Sequence, residues 1–123
     1  MTHEKISRSE FSSLCVAAAA AARGVDCAAI RSPRRERAKI AAARQLALYL
    51  HHVVFGASLS ACGRALARDR ASVRHACAAI EDRRDDPRFD RAVAALEAGL
   101  RAQRDLVSLL RSFPATPTIG DDS

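Results

Sequence analysis

A chain of 123 residues with a formal net charge of +6 has room for one domain with loose ends and no more. Apolar residues make up 49% of it but aromatics only 4%, with no tryptophan, so the core must be built from Ala, Leu, Val and Ile; such helices bury little area per residue, which predicts modest stability or help from a partner. The first ten residues, MTHEKISRSE, are polar and no apolar run reaches membrane-spanning length, which excludes a spanning helix, argues against a signal peptide and predicts a reduced, cytoplasmic setting.

Residues 1 to 9 read as a frayed start. A first helix is expected from Ser9 or Ser12, either of which could cap it, to about Arg23, with Phe11, Leu14, Cys15 and Val16 as its apolar residues. Its run Ala17 to Ala22 has high helix propensity and little core-forming power. Gly24 is a natural stop, and a short helix fits Asp26 to Arg31. Ser32-Pro33 reads as the next start, serine at the N-cap and proline at the first helical position. From Pro33 to Phe55 the period is helical, with Ile40, Ala43, Ala47, Leu50 and Val54 on one face and Leu46 and Val53 beside it. The first turns of this helix hold Arg34, Arg35, Arg37 and Lys39, a cationic start that the helix dipole opposes by roughly a few tenths of a kcal/mol. Phosphates would relieve that repulsion; a solvated helix end is the plainer alternative. Gly56 ends the helix.

The stretch Ser58 to Asp82 carries two short amphipathic repeats. Leu59, Cys62, Gly63 and Leu66 fall at i, i+3, i+4 and i+7, and Val73, Ala76, Cys77 and Ile80 repeat the pattern after the turn Ala67-Arg68-Asp69. Ser58 and Asp69 stand at the two N-cap positions. Two short helices joined this way, here spanning 58–83, are a helix-turn-helix, in which the second helix enters the DNA major groove. The outward face of that second helix holds Arg70, Ala71, Arg74, His75 and Ala78. Arginine can bond guanine O6 and N7 in a bidentate way, and alanine can touch a thymine methyl. A solvated bundle face is the alternative reading.

After Asp82, the acids of RRDDPRFD look like caps and surface pairs, not a general acid and base. Asp86-Pro87 opens a last helix of about 26 residues with the stripe Phe89, Val93, Leu96, Leu100, Val107 and Leu110. It also carries Leu106, Leu109 and Phe113, more apolar length than a monomer of this size obviously needs. Either this surplus covers the alanine-rich first helix, or it forms a homodimer or partner contact. Pro114 stops the helix and residues 114–123 form a short acidic tail, leaving 1–113 as a single all-α domain.

Between Ile30 and Arg74 stand ten basic residues against two acids, Glu36 and Asp69, so the rest of the chain is acidic on balance. Positive charge concentrated on and before a helix-turn-helix is the electrostatic footprint of phosphate binding. The four cysteines at 15, 27, 62 and 77 lack C-x-x-C spacing, and Cys62 and Cys77 lie on apolar faces, where thiols pack as small hydrophobes. The adjacent His51 and His52 cannot share a helix face, so no metal or other cofactor is expected. A phosphate-binding G-x-x-x-x-G-K loop and nucleophile–base arrangements are missing, which argues against an enzyme.

The run ARQLALYLHHVVFGASLSACGRALARDRASVRHACAAIE resembles the C-terminal DNA-binding domain (domain IV) of the bacterial replication initiator DnaA. That family shows Arg-Gln before an apolar helix, then Ser-Leu, an apolar-Gly pair, and Arg-Asp-His-Thr-Thr-Val-x-His-Ala. This chain has Arg44-Gln45, Ser58-Leu59, Cys62-Gly63 and Arg68-Asp69-Arg70-Ala71-Ser72-Val73-Arg74-His75-Ala76, with a turn one residue shorter than in many initiators. The likeness covers roughly residues 35 to 100. It implies an all-α helical bundle that docks on double-stranded DNA through Arg34, Arg35, Arg37, Lys39, Arg44, Ser58, Ser60, Arg68, Asp69, Arg70, Ala71, Ser72, Arg74 and His75. Three departures alter base reading: Arg70 and Ala71 replace the family's His and first Thr, and Arg74 replaces an apolar residue that touches thymine methyls. The family's minor-groove arginine falls near Glu36, flanked by Arg34, Arg35 and Arg37. The docking mode is therefore expected to carry over and the target sequence is not. Short DnaA-like proteins without the ATPase, including activators of gene transfer agents, are transcription regulators, and this chain is similar in layout. Alternatives are a helical adaptor that binds RNA polymerase or another co-activator through the last helix, and a replication regulator that competes for initiator sites.

Overall fold

The computed structural model describes residues 8–32 and 37–113. Six helices follow one another, with no strand among those residues: α1 (Arg8–Arg23), α2 (Cys27–Arg31), α3 (Ala38–Phe55), α4 (Leu59–Leu66), α5 (Arg70–Arg83) and α6 (Pro87–Arg111). The all-α class and the order of elements agree with the periodicity of the chain.

The axis of the fold is α3, which packs on α1, α2, α4, α5 and α6. Its buried residues include Ala43, Leu46, Ala47, Leu48, Tyr49, Leu50 and Val54, so they cover every side of the helix. This corrects the one-sided stripe expected from spacing: Leu48 and Tyr49 are buried, Ile40 is half-buried and Val53 is 38% exposed. A helix enclosed by neighbours has no solvent face, and a 3.6-residue period detects only one that does. Around α3 lie Cys15, Val16 and Ala19 of α1, Ile30 of α2, Val73 and Ile80 of α5, and Val93 and Leu100 of α6. Each fully buried Ile or Leu contributes about 1.5–3 kcal/mol through area removed from water, while the alanines of α1 chiefly allow close approach.

Several helix ends follow local chemistry. Gly24 adopts φ 68° and the next N–H, of Val25, donates to Ala20 O at 3.1 Å. Gly56 is also left-handed, with its N–H bonded to His51 O, and Arg104 Nη1 donates to Val54 O at 3.0 Å across from α6. Two starts depart from expectation. α1 begins at Arg8, so neither Ser9 nor Ser12 caps it; Ser12 is buried inside the helix. α3 begins at Ala38 with Arg37 at the N-cap, and Ser32 is instead the C-cap of α2, extended at ψ 138°. Arg37, extended at ψ 159°, is what bounds α3, so its first turn lies beyond the start that the Ser-Pro pair suggested. Pro33, Arg34, Arg35 and Glu36 lie outside the described residues.

The turn from α5 into α6 is clamped onto α3. Arg84 Nε meets Asp90 Oδ1 at 2.6 Å, Arg84 Nη1 meets Glu97 Oε2 at 2.8 Å and donates to Tyr49 Oη at 3.0 Å, and Tyr49 Oη donates to Glu81 Oε2 at 2.8 Å. The hydrogen bond with Glu97 raises the Arg84 pKa further above its ordinary range. Burial, followed by the bond to Glu81, raises that of Tyr49. In α6 Asp86 caps the start by accepting from the N–H of Arg88 at 3.0 Å, with Pro87 in the first position. Val93 and Leu100 are buried, and Phe89, Leu96 and Val107 half-buried, but Leu106, Leu109, Leu110 and Phe113 are 54–59% exposed. The distal stripe, Leu110 included, is therefore not spent on α1. An Arg111–Glu10 ion pair at 2.9 Å nevertheless joins this end of α6 to α1.

Candidate nucleic-acid interface

The corner between α4 and α5 is built from three local devices. Ser58 Oγ accepts from the N–H of Ala61 at 3.0 Å and starts α4. Asp69 Oδ1 accepts from the N–H of Ser72 at 2.7 Å and starts α5. That backbone hydrogen bond holds the Asp69 carboxyl below its ordinary pKa. Between them the chain turns at Ala67, which is left-handed at φ 56°, and the N–H of Arg68 returns to Gly63 O at 2.8 Å. A Cβ on Gly63 would run into the Arg68 carbonyl and lie 3.4 Å from Val73 Cγ2, so only glycine lets α4 and the turn close.

On α5, Val73, Ala76 and Ile80 are buried, while Arg70, Ala71, Ser72, Arg74, His75 and Ala78 are exposed. The inward and outward faces are those that spacing assigned. The outward face borders a groove of about 400 Å³ that runs to α3, lined by Ala41, Arg44, Gln45, Leu48, Arg68, Asp69, Ala71, Ser72, His75 and Ala76. Arg37 and Lys39 are exposed at the start of α3, Ser60 is half-buried on α4, and Arg34 and Arg35 lie outside the described residues.

Two arginines sit elsewhere than their place among the expected DNA contacts suggests. Arg44 is only 7% exposed; its Nε donates to Ile30 O at 2.9 Å and its Nη2 reaches Ala29 O at 3.2 Å and Ser32 O at 3.3 Å. It braces the C-terminal end of α2, where Ala29 O also accepts the Ser32 N–H at 3.2 Å. Arg68 is half-buried and does the same for α4, with Nη1 donating to Leu66 O and Ala67 O and Nη2 to Ser32 O at 3.3 Å. Both therefore converge on the Ser32 carbonyl, at the root of the basic segment 33–36. Gln45 and Leu48, which line the groove, carry no signal in the periodicity; Gln45 stands out only as half of the Arg-Gln pair.

The family model described as the bacterial dnaA protein helix-turn-helix matches residues 15–80, more than half of the chain. This chain belongs to the bacterial DnaA helix-turn-helix family. No curated protein matches it in sequence. Family membership makes it a DNA-binding protein of the helix-turn-helix type, and the matched span runs from α1 to the end of the α5 core. The DnaA-type signature residues Asp69, Ser72 and His75 are thus the cap, the capped residue and an outward neighbour on one helix.

The remaining chemistry-bearing side chains have structural surroundings. Burial pushes the Cys15 and Cys62 thiols up to about 12 and raises that of Cys77, which keeps all three neutral. His52 Nδ1 lies 2.7 Å from Ala57 O. Among the described residues no group of three His, Cys, Asp or Glu could hold a metal ion, and no helix is long and apolar enough to cross a membrane.

Proposed function

We propose that this DnaA-type protein is a regulator of transcription that seats α5 in the major groove of double-stranded DNA. Arg70, Ala71 and Arg74 meet base edges, together with Ser72 and His75. Ser58 and Ser60 face phosphates at the entrance, Arg68 braces the turn through its carbonyl contacts, and Asp69 sets the start of the reading helix. Arg37 and Lys39, with Arg34 and Arg35, track the backbone or the adjoining minor groove, while Arg44 acts as a positioning residue. The observation that carries this reading is the exposed Arg70/Arg74 face, supported on a capped, buried-core helix beside a basic groove. Two arginines where the family has a histidine and an apolar residue point to a site richer in guanine than the initiator's own box.

The test is affinity for selected and random duplexes across a salt series. A base-reading arginine discriminates by about 1–3 kcal/mol per base pair, so Arg70→Ala or Arg74→Ala should shrink the gap between the two duplexes. A phosphate contact contributes a slope of roughly one unit in log affinity against log salt, so Arg34→Ala with Arg35→Ala should weaken both and flatten the slope. An unchanged specificity ratio in the α5 variants would show that α5 is not the reading helix.

A second reading concerns protein contacts. The stripe Leu106, Leu109, Leu110 and Phe113 is spaced i, i+3, i+4, i+7 and stands exposed, as a surface for a second copy of the chain would. Helix-turn-helix dimers read paired half-sites, so self-association fits DNA regulation. RNA polymerase is the alternative occupant if the protein proves monomeric.

A further inference from the structure

On another side of the molecule α1, α2, α3 and α4 line a recess of about 530 Å³, within the size range of small-molecule sites. Its polar groups are Ser12, Ser13, Arg31, His51 and Arg64, and none of its lining residues is acidic. Ser12 and His51 are each 4% exposed and form a sunken polar floor, whereas Ser13, Arg31 and Arg64 stand at the exposed rim. Ala61 and Ala65 of α4 contribute only methyl groups to its wall. Arg31 Nη2 donates to Ser13 Oγ at 3.3 Å, a long bond at an exposed site that a charged acceptor would outcompete. A second cavity, of about 380 Å³, lies beside it: His51 and Ala61 line both, and the second is also lined by Phe11 and Phe55, whose rings stack at 4.2 Å.

We propose that this recess binds a small phosphorylated molecule of about mononucleotide size, with its phosphoryl group between Arg31, Arg64 and the Ser13 hydroxyl and its body over His51 toward Phe55. Two cations with hydroxyl donors and no lining carboxylate select an anion, and guanidinium forks suit phosphate oxygens. The aromatic lining of the neighbouring cavity suits a flat or apolar body. A DNA backbone is a poor occupant. Its phosphates could touch the exposed rim, but nothing in a duplex backbone would enter over the Ser12 and His51 floor, which is almost closed to solvent, and no residue lines both this recess and the groove beside α5. The site goes beyond the DNA reading and stands whether or not that reading holds.

The experiment is an amide NMR titration of the full chain with AMP, inorganic phosphate and adenosine, repeated with a short duplex. AMP should give saturable shifts at Ser12, Ser13, Ala61 and Ala65 and leave Ala71 and Ser72 in place; phosphate should move the same set more weakly, and adenosine should not. Arg31→Ala and Arg64→Ala, both at exposed positions, should each weaken AMP by roughly tenfold or more with the spectrum otherwise native. The proposal is overturned if AMP and phosphate leave the four amides unmoved. It is equally overturned if those amides move only together with Ala71 and Ser72, or shift as strongly with the duplex, since the probes would then be imitating DNA phosphates.

Discussion

Gly63 and Ala67 decide how sharply α4 gives way to α5. The missing side chain of Gly63 is filled by the Arg68 carbonyl, so Gly63→Ala forces backbone, not a flexible side chain, to move. Such overpacking costs about 1–3 kcal/mol, and denaturant melting should show a loss of that size. DNA affinity should fall with it, because Asp69 and the start of α5 are carried by the same turn. Ala67 presents the opposite case. It holds a left-handed conformation that an alanine pays for and a glycine does not, and it is exposed, so nothing is lost by trimming it. Ala67→Gly should raise the denaturation midpoint by about 0.5–1 kcal/mol equivalent at unchanged slope, the glycine's greater unfolded-state freedom taking back part of the gain. A fall in stability would mean that the turn is not held in this conformation.

At the scale of elements, α6 has two halves with different duties. From Phe89 to Leu100 it covers α3; beyond that, its apolar stripe faces outward while Arg111 pairs with Glu10. Exposed substitutions away from packed contacts usually change stability by only about 0.5 kcal/mol. Leu106→Asp with Leu110→Asp should therefore leave helical content and melting nearly unchanged, and should lower the apparent mass in light scattering to that of a single 13.2 kDa chain. A native protein already at that mass would reassign the stripe to a different protein. Unfolding of the double variant would instead return this half of α6 to the core.

Across the whole molecule, the reading corner and the long helix are joined through Arg84. Glu97 is 8% exposed and lies against that guanidinium, with Tyr49 completing the link to α3. Removing one partner of a buried ion pair strands the other, at about 3–5 kcal/mol. Arg84→Ala should cost on that order in chemical denaturation. Arg84→Ala with Glu97→Ala should cost clearly less than the sum of the two single changes, because the double variant strands no buried charge. Additive losses would show that Arg84 and Glu97 act independently. The end of α2 is tied to the same body through Ser32 O, on which Arg44 of α3 and Arg68 of the turn before α5 converge.

Short-range chemistry made much of this protein legible without a structure. Caps at Ser58, Asp69 and Asp86, stops at Gly24 and Gly56 and the two faces of α5 each depend on residues within about one turn, and the chain order preserves those distances. The family signature is legible for the same reason, being one turn and the helix that follows it. Tertiary structure decided whatever depends on neighbours distant in sequence. The family resemblance placed Arg44 among the DNA contacts, and only the approach of α2 to α3 assigns it to three carbonyls. Nothing near Glu97 in the chain marks it as buried against Arg84, and α3 showed a one-sided stripe because its other sides are covered by five different helices. The recess of Ser12, Arg31, His51 and Arg64 draws on four helices at once. No local pattern encodes such a meeting, because its geometry exists only after the alanine-poor and alanine-rich surfaces have packed.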